Sequence, residues 1–196
     1  MLTDLPNVLT LSRIAAIPLL VGLVAAHGSA TDLFACLVFI AAGVTDYLDG
    51  HIARSRKQFS DLGRMLDPIA DKLLVGASLM VMAGLGRLPF GGLYPAIVIL
   101  LREIMVSGLR EHLAASRVSL PVTRLAKWKT TVQMVAIGTL LAGDSTARLL
   151  QIGWLPVGLI GAVLLWLAAL LTLVTGWDYL STGFRHVRPP ASKVVP

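Results

Sequence analysis

The sequence predicts an all-α fold, a polytopic membrane protein built as a bundle of six transmembrane helices. Three observations lead there. Apolar residues make up 56% of the chain and the mean hydropathy is +0.78, more than a soluble globule of 196 residues carries. Only 14% of residues are charged, and they gather in short clusters between long apolar runs. A bilayer imposes that distribution, because a charge at its centre is costly. Finally, six apolar runs approach the roughly 20 residues that a spanning helix needs.

In order, the runs cover residues 11–26, 33–54, 62–85, 93–113, 125–142 and 154–180. The first is short and contains Pro18. Turn-forming stretches separate several of them: His27-Gly28-Ser29, Gly86-Arg87-Leu88-Pro89-Phe90-Gly91-Gly92 and Gly143-Asp144-Ser145. Residues 1–185 read as one transmembrane catalytic domain, and residues 186–196, with Arg188-Pro189-Pro190, as a disordered tail. The start lacks the basic region of a cleavable signal, so the first apolar run is expected to stay as a helix. The single Cys36 lies in an apolar run and offers no disulfide framework.

Lysine and arginine concentrate at residues 54–64, 110–129 and 185–193, whereas the alternate breaks near His27, Arg87 and Arg148 carry one or none each. The positive-inside rule therefore puts both termini and the basic loops on the cytoplasmic side of the inner membrane. The net charge of +6 sits where helices leave the bilayer, so anionic membrane lipids, and not nucleic acid, are the expected partner.

The stretch that carries chemistry is Asp46-Tyr47-Leu48-Asp49-Gly50-His51-Ile52-Ala53-Arg54, followed by Gly63-Arg64-Met65-Leu66-Asp67-Pro68-Ile69-Ala70-Asp71. On helices, spacings of three (Asp46, Asp49) and four (Asp67, Asp71) put each pair on one face. A short basic loop joins the two helices, which are expected to be direct neighbours with meeting aspartate faces. Four unpaired carboxylates would repel one another, and Arg54 alone cannot neutralise them. Oxygen-only clusters suit Mg²⁺ or Mn²⁺, which can clamp a phosphoryl group during in-line displacement. Gly50 and Ala53 are small enough to let a bulky ligand approach the helix backbone. The plainer alternative is a set of helix-end aspartates paired with Arg56, Lys57 and Lys72. Asp61 reads as a solvated loop residue.

These residues match Asp-x2-Asp-Gly-x2-Ala-Arg-x8-Gly-x3-Asp-x3-Asp at every position. The pattern resembles the signature of the CDP-alcohol phosphatidyltransferase family. The resemblance implies a six-helix membrane fold with its site at the cytoplasmic surface, a homodimer, and a divalent metal cofactor, two ions of Mg²⁺ or Mn²⁺. It also implies that a hydroxyl attacks the β-phosphorus of a CDP-linked lipid and CMP leaves. Asp46, Asp49 and Asp67 would be metal ligands, Asp71 would complete the metal site and act as base, and Gly50, Ala53 and Arg54 would line the CDP-lipid pocket with Gly63 close by.

The flanks bear on the acceptor. Asn7-Val8-Leu9-Thr10-Leu11-Ser12-Arg13, Arg102-Glu103-Ile104, Leu109-Arg110-Glu111 and the stretch from Leu125 to Gln133 resemble the subgroup that makes phosphatidylglycerol phosphate from CDP-diacylglycerol and sn-glycerol 3-phosphate. Glycerol 3-phosphate is a dianion and needs cationic donors. Arg110, Lys127, Lys129 and Arg13 are candidates, with Asn7 and Thr10 beside them. Each has a plainer reading: the lysines satisfy the positive-inside bias, and Asn7 and Thr10 cap the first helix. Arg102 and Glu103 lie deeper and are expected to form a mutual or interhelical ion pair.

Two rivals remain. The same chemistry could serve another acceptor, giving cardiolipin, inositol or serine lipids. A divalent-cation transporter would place its acids near the midplane; here they flank one edge, with no matching acid expected at the other. His27, His51, His112 and His186 show no ligand spacing, and Trp128, Trp154 and Trp177 read as an interfacial aromatic belt.

Overall fold

Six helices follow one another in the computed structural model: α1 (Leu5–Ala25), α2 (Ser29–Arg56), α3 (Asp61–Gly84), α4 (Leu93–Ala115), α5 (Arg124–Leu149) and α6 (Val157–Val187). The structure describes residues 5–56, 61–115 and 124–187, and their side chains except those of 5–7, 47–56, 61, 62, 64, 115 and 182–187. No strand occurs among the described residues.

The number and order of helices agree with the apolar runs, and their ends differ for local reasons. α1 starts at Leu5, well before residue 11, with Pro6 in its first turn, where a missing N–H leaves no bond unmade. Asp61 opens α3 instead of lying in a loop. The turn expected at Gly143 is a kink: Gly143 takes φ 62°, ψ 179°, and helical structure resumes to Leu149. Asp144, just past the kink, accepts a hydrogen bond of 2.9 Å from the Gly158 N–H, satisfying one of the orphan donors at the start of α6. α6 continues past residue 185 to Val187, and the rest of the expected tail lies outside the described residues.

α1 packs against both α2 and α3, α2 against α5, α5 against α6, and α6 against α4; lighter contacts of α3 with α4 and α5 close a ring. This corrects one expectation. α2 and α3 touch each other little, and α1 stands between them. Where α5 and α6 meet, a Cβ on Gly161 would come within 2.8–2.9 Å of Leu140 and Thr139, so the two helices approach closely there only because that residue is glycine.

The distribution of polarity is that of a lipid-facing protein. Met80, Leu101, Ile104 and Leu170 are 60–68% exposed on the outside, while Arg13, Arg102, Lys129 and Gln133 are buried. Val8–Ala25, Ser29–Asp46 and Val157–Ser181 are long and apolar enough to cross a membrane by themselves. Among the described residues α3, α4 and α5 contain no stretch of that length and apolarity. Leu20, Phe39, Leu79, Ile99, Ile137 and Leu165 fill the core between the helices.

An acidic group does stand at the edge opposite the basic loops, contrary to expectation. Asp32, at the start of α2, is buried and receives 2.7 Å hydrogen bonds from Arg87 Nη1 and from the Ser145 hydroxyl. Arg87 also donates to the carbonyls of Val24 (3.3 Å) and Leu141 (3.4 Å), so it closes the exposed end of α1 and the kink of α5. Asp32 is thus committed to a structural clasp. Arg87→Ala leaves its carboxylate buried and unpaired, a change that costs about 3–5 kcal/mol in known pairs. The thermal midpoint in detergent is expected to fall clearly, and Asp32→Asn added to Arg87→Ala to recover part of the loss.

Candidate active site

The acidic helices are joined through α1. The Thr10 hydroxyl donates to Asp67 Oδ1 on α3 at 2.5 Å, and Arg13 Nη1 pairs with Asp46 Oδ1 on α2 at 2.5 Å. Thr10 and Arg13 are three residues apart, hence on one face of α1, and both are buried. Two aspartates from helices that scarcely touch are therefore drawn toward one line. Asp71 lies one helical turn beyond Asp67 and shares a cavity wall with Asp46 and Arg13.

The donor chemistry suits a hard divalent cation, since the acids offer only oxygen. Asp46 and Asp67 are each engaged through a single carboxylate oxygen, and among the described residues the other oxygen of each is uncommitted. Among those residues, no three acidic, histidine or cysteine side chains are gathered closely enough to hold a metal ion. The expected set of four includes Asp49, whose side chain lies outside the described residues. The same holds for Gly50, Ala53 and Arg54, which continue α2 toward the basic edge, and for Asn7 on α1. Gly63 is buried on the first turns of α3.

Asp71 faces three openings. One is a cavity of about 410 Å³ between α3, α4, α5 and α6, with Lys72, Arg102, Arg110, Lys129 and Tyr179 in its wall. The second, about 670 Å³, runs between α2 and α5 past Phe39, Ile40, Met134 and Val135. The third, about 730 Å³, lies along α1, α3 and α4 past Ile17, Leu73, Met80 and Leu100. The first is rich in charge. The other two are apolar grooves that reach a charged end only where they meet Asp71, a shape that matches a lipid with an anionic head.

The charged cavity also shows what its residues do in the structure. The buried Lys129 ammonium donates to Glu103 Oε1, so the interhelical ion pair expected for Glu103 forms with α5. Glu103 lies 3.7 Å from Arg102 Nη1 as well, so one carboxylate serves two cations. Arg102 Nη2 donates to the Thr175 hydroxyl at 3.1 Å, while its buried Nε has no partner among the described residues. Arg110 is exposed in the wall, and Lys127 is exposed but is not among the described residues lining that cavity. Arg13 and Thr10, named with Arg110 as acceptor candidates, instead engage the aspartates. Tyr179 and Thr175 had no motif to mark them, because only the packing of α6 carries them to the site.

Fold and site together define an integral membrane protein whose carboxylates stand where a basic cavity meets two lipid-sized grooves. Residues 3–174 match the CDP-alcohol phosphatidyltransferase family, and the chain belongs to it. It is similar to the CDP-diacylglycerol--glycerol-3-phosphate 3-phosphatidyltransferase of Rickettsia bellii, 41% identical over 176 residues, 90% of this chain and 93% of that protein. Similar too are proteins of that name from Cereibacter sphaeroides (38% identical; 94% and 97% covered) and Bacillus subtilis (32% identical; 94% and 97% covered).

Proposed function

We propose that this protein transfers the phosphatidyl group of CDP-diacylglycerol to sn-glycerol 3-phosphate, giving phosphatidylglycerol phosphate and CMP. The observation that carries the reading is the place of Asp71, at the junction of a basic cavity with two apolar grooves. The grooves receive the acyl chains, and the basic cavity receives the water-soluble phosphomonoester. The names of the similar proteins support the same choice of substrates.

The acceptor hydroxyl attacks the β-phosphorus. Its proton passes to Asp71, a new P–O bond forms, the anhydride P–O bond breaks, and CMP departs. Alcohols are poor nucleophiles near neutral pH, so a carboxylate at the meeting point supplies what the acceptor lacks. Arg102, Arg110 and Lys129 hold the acceptor phosphate and aim its hydroxyl, and positioning is a large share of catalysis in phosphoryl transfer. Asp46, Asp49, Asp67 and Asp71 would hold two divalent ions, Mg²⁺ or Mn²⁺, which would neutralise charge on the diphosphate. Thr10 and Arg13 fix the directions of Asp67 and Asp46, and Gly50, Ala53, Arg54 and Gly63 border the nucleotide. The protein works as a homodimer in the inner membrane, with the site and both termini toward the cytoplasm.

The test is CMP release by the purified protein with CDP-diacylglycerol and a panel of acceptors. Turnover is expected with glycerol 3-phosphate. Turnover only with phosphatidylglycerol, inositol phosphate or serine would overturn the choice of acceptor. Divalent-cation flux into proteoliposomes without any CMP release would favour a transporter.

A further inference from the structure

Two arginines of α4, Arg102 and Arg110, stand eight residues apart, a little over two turns along the helix and about 80° around it, on one broad face. Both guanidinium carbons lie over the same ring, that of Tyr179 on α6, at 5.6 and 5.4 Å from its centroid. These distances are within the range where the ring's negative face attracts a cation. Tyr179 is itself buried, 6% exposed, so the ring is a fixed platform. A Cβ on Gly176 would come within 3.1–3.3 Å of Arg102 Cγ and Nε, so the glycine one turn before Tyr179 lets the arginine stem lie against α6.

Electrostatics make this arrangement unusual. Glu103, the carboxylate nearest Arg102, is already taken by Lys129, and among the described residues no carboxylate pairs with Arg110. The cavity wall carries four basic side chains, Lys72, Arg102, Arg110 and Lys129, against three acidic ones, Asp71, Glu103 and Glu111, and neither arginine has a carboxylate to itself among the described residues. Arg102 Nε, buried and without a partner among the described residues, is a donor that lacks an acceptor. Oxygens of a dianion would answer both deficits. Without the ring, the exposed Arg110 would turn to solvent, away from its like-charged neighbour.

From this geometry we infer that Tyr179 is a positioning residue, which stacks Arg102 and Arg110 into a two-pronged receptor for the acceptor's phosphomonoester. The inference rests on the acceptor cavity proposed above and adds the group that shapes it. Tyr179 touches neither the β-phosphorus nor Asp71 in this scheme; it acts through the arginines. Its loss therefore affects the binding of a charged acceptor and not the chemical step.

The experiment is steady-state CMP release in detergent, with glycerol 3-phosphate and CDP-diacylglycerol varied separately, for wild type, Tyr179→Phe and Tyr179→Leu. Tyr179→Leu is expected to raise the KM for glycerol 3-phosphate about tenfold, the order set by a cation–π contact plus the ordering of a long side chain. Its kcat and its KM for CDP-diacylglycerol are expected to change less than about twofold, within the scatter of a neutral substitution. Tyr179→Phe keeps the ring and is expected to keep the wild-type KM. An unchanged acceptor KM in Tyr179→Leu, or a loss in kcat alone, would overturn the inference. So would Tyr179→Phe matching Tyr179→Leu, since the hydroxyl would then be the active part. If Tyr179→Leu does not fold, Tyr179→Phe and Tyr179→Trp decide: both retain a π face, and a tenfold rise in acceptor KM for both overturns the platform role. Wild type without glycerol 3-phosphate-dependent turnover is a separate outcome and removes the acceptor assignment itself.

Discussion

Asp71→Asn is expected to lower kcat for CMP release by about 10²- to 10⁴-fold, the range spanned by positioned general bases. The amide is nearly isosteric with the carboxylate, so the walls of the three openings that meet at Asp71 keep their shape. What changes is the capacity to take the acceptor's proton. Binding of CDP-diacylglycerol is expected to survive, which separates a lost base from a lost fold; it can be followed by lipid-dependent thermal stabilisation of the purified protein. Turnover near the wild-type rate would remove Asp71 from that role. Asp46→Asn and Asp67→Asn act differently. Each takes a charged oxygen from a carboxylate already tethered by Arg13 or Thr10. Their defects are expected to be partly rescued by higher divalent-ion concentration, and that of Asp71→Asn less so, because it removes the base as well as one metal donor.

Removal of divalent cations by a chelator is expected to bring CMP release to background, and Mg²⁺ or Mn²⁺ to restore it. The reason lies in the charge inventory. A diphosphate lipid and a phosphomonoester must meet beside Asp46, Asp67 and Asp71, and Arg13 is committed to Asp46. Arg102, Arg110 and Lys129 lie toward the acceptor side of that meeting point. Lys72, beside Asp71 in the walls of the basic cavity and of the third opening, leaves the two phosphates of the anhydride largely unbalanced, and cations held by the carboxylates would supply the rest. Full activity in excess chelator, after exhaustive dialysis, would overturn the metal assignment. Ca²⁺ is expected to substitute poorly, because its larger and looser coordination shell fits a tight phosphoryl-transfer geometry less well.

Particular elements show how far the chain could be read without coordinates. Helix number and order followed from apolar run length, because spanning a bilayer fixes that length. Helix ends did not: Arg87 closes the C-terminal end of α1 at Val24 and the kink of α5 at Leu141, contacts that no local pattern announces. The aspartates were visible because their spacing repeats the helical period. Their convergence was expected from direct packing of α2 on α3, whereas Thr10 and Arg13 of α1 make the link. A loop's shortness says that two helices are near, not which third helix lies between them. The clasp at Asp32 escaped notice for the same reason, since its partners are 55 and 113 residues away along the chain.

The sequence by itself determined the solvent, the helix count, the acidic motif and, through that motif, the family. Each of these is written in residue type and local spacing, which need no long-range contact to be read. Only the tertiary structure decided which cations face the cavity. It drew Arg13 to Asp46, tied Lys129 to Glu103, left Lys127 outside the acceptor cavity and set Arg102 and Arg110 on Tyr179. Those choices depend on how α1, α4, α5 and α6 turn against one another, and side chains far apart in the chain carry no mark of whom they will meet.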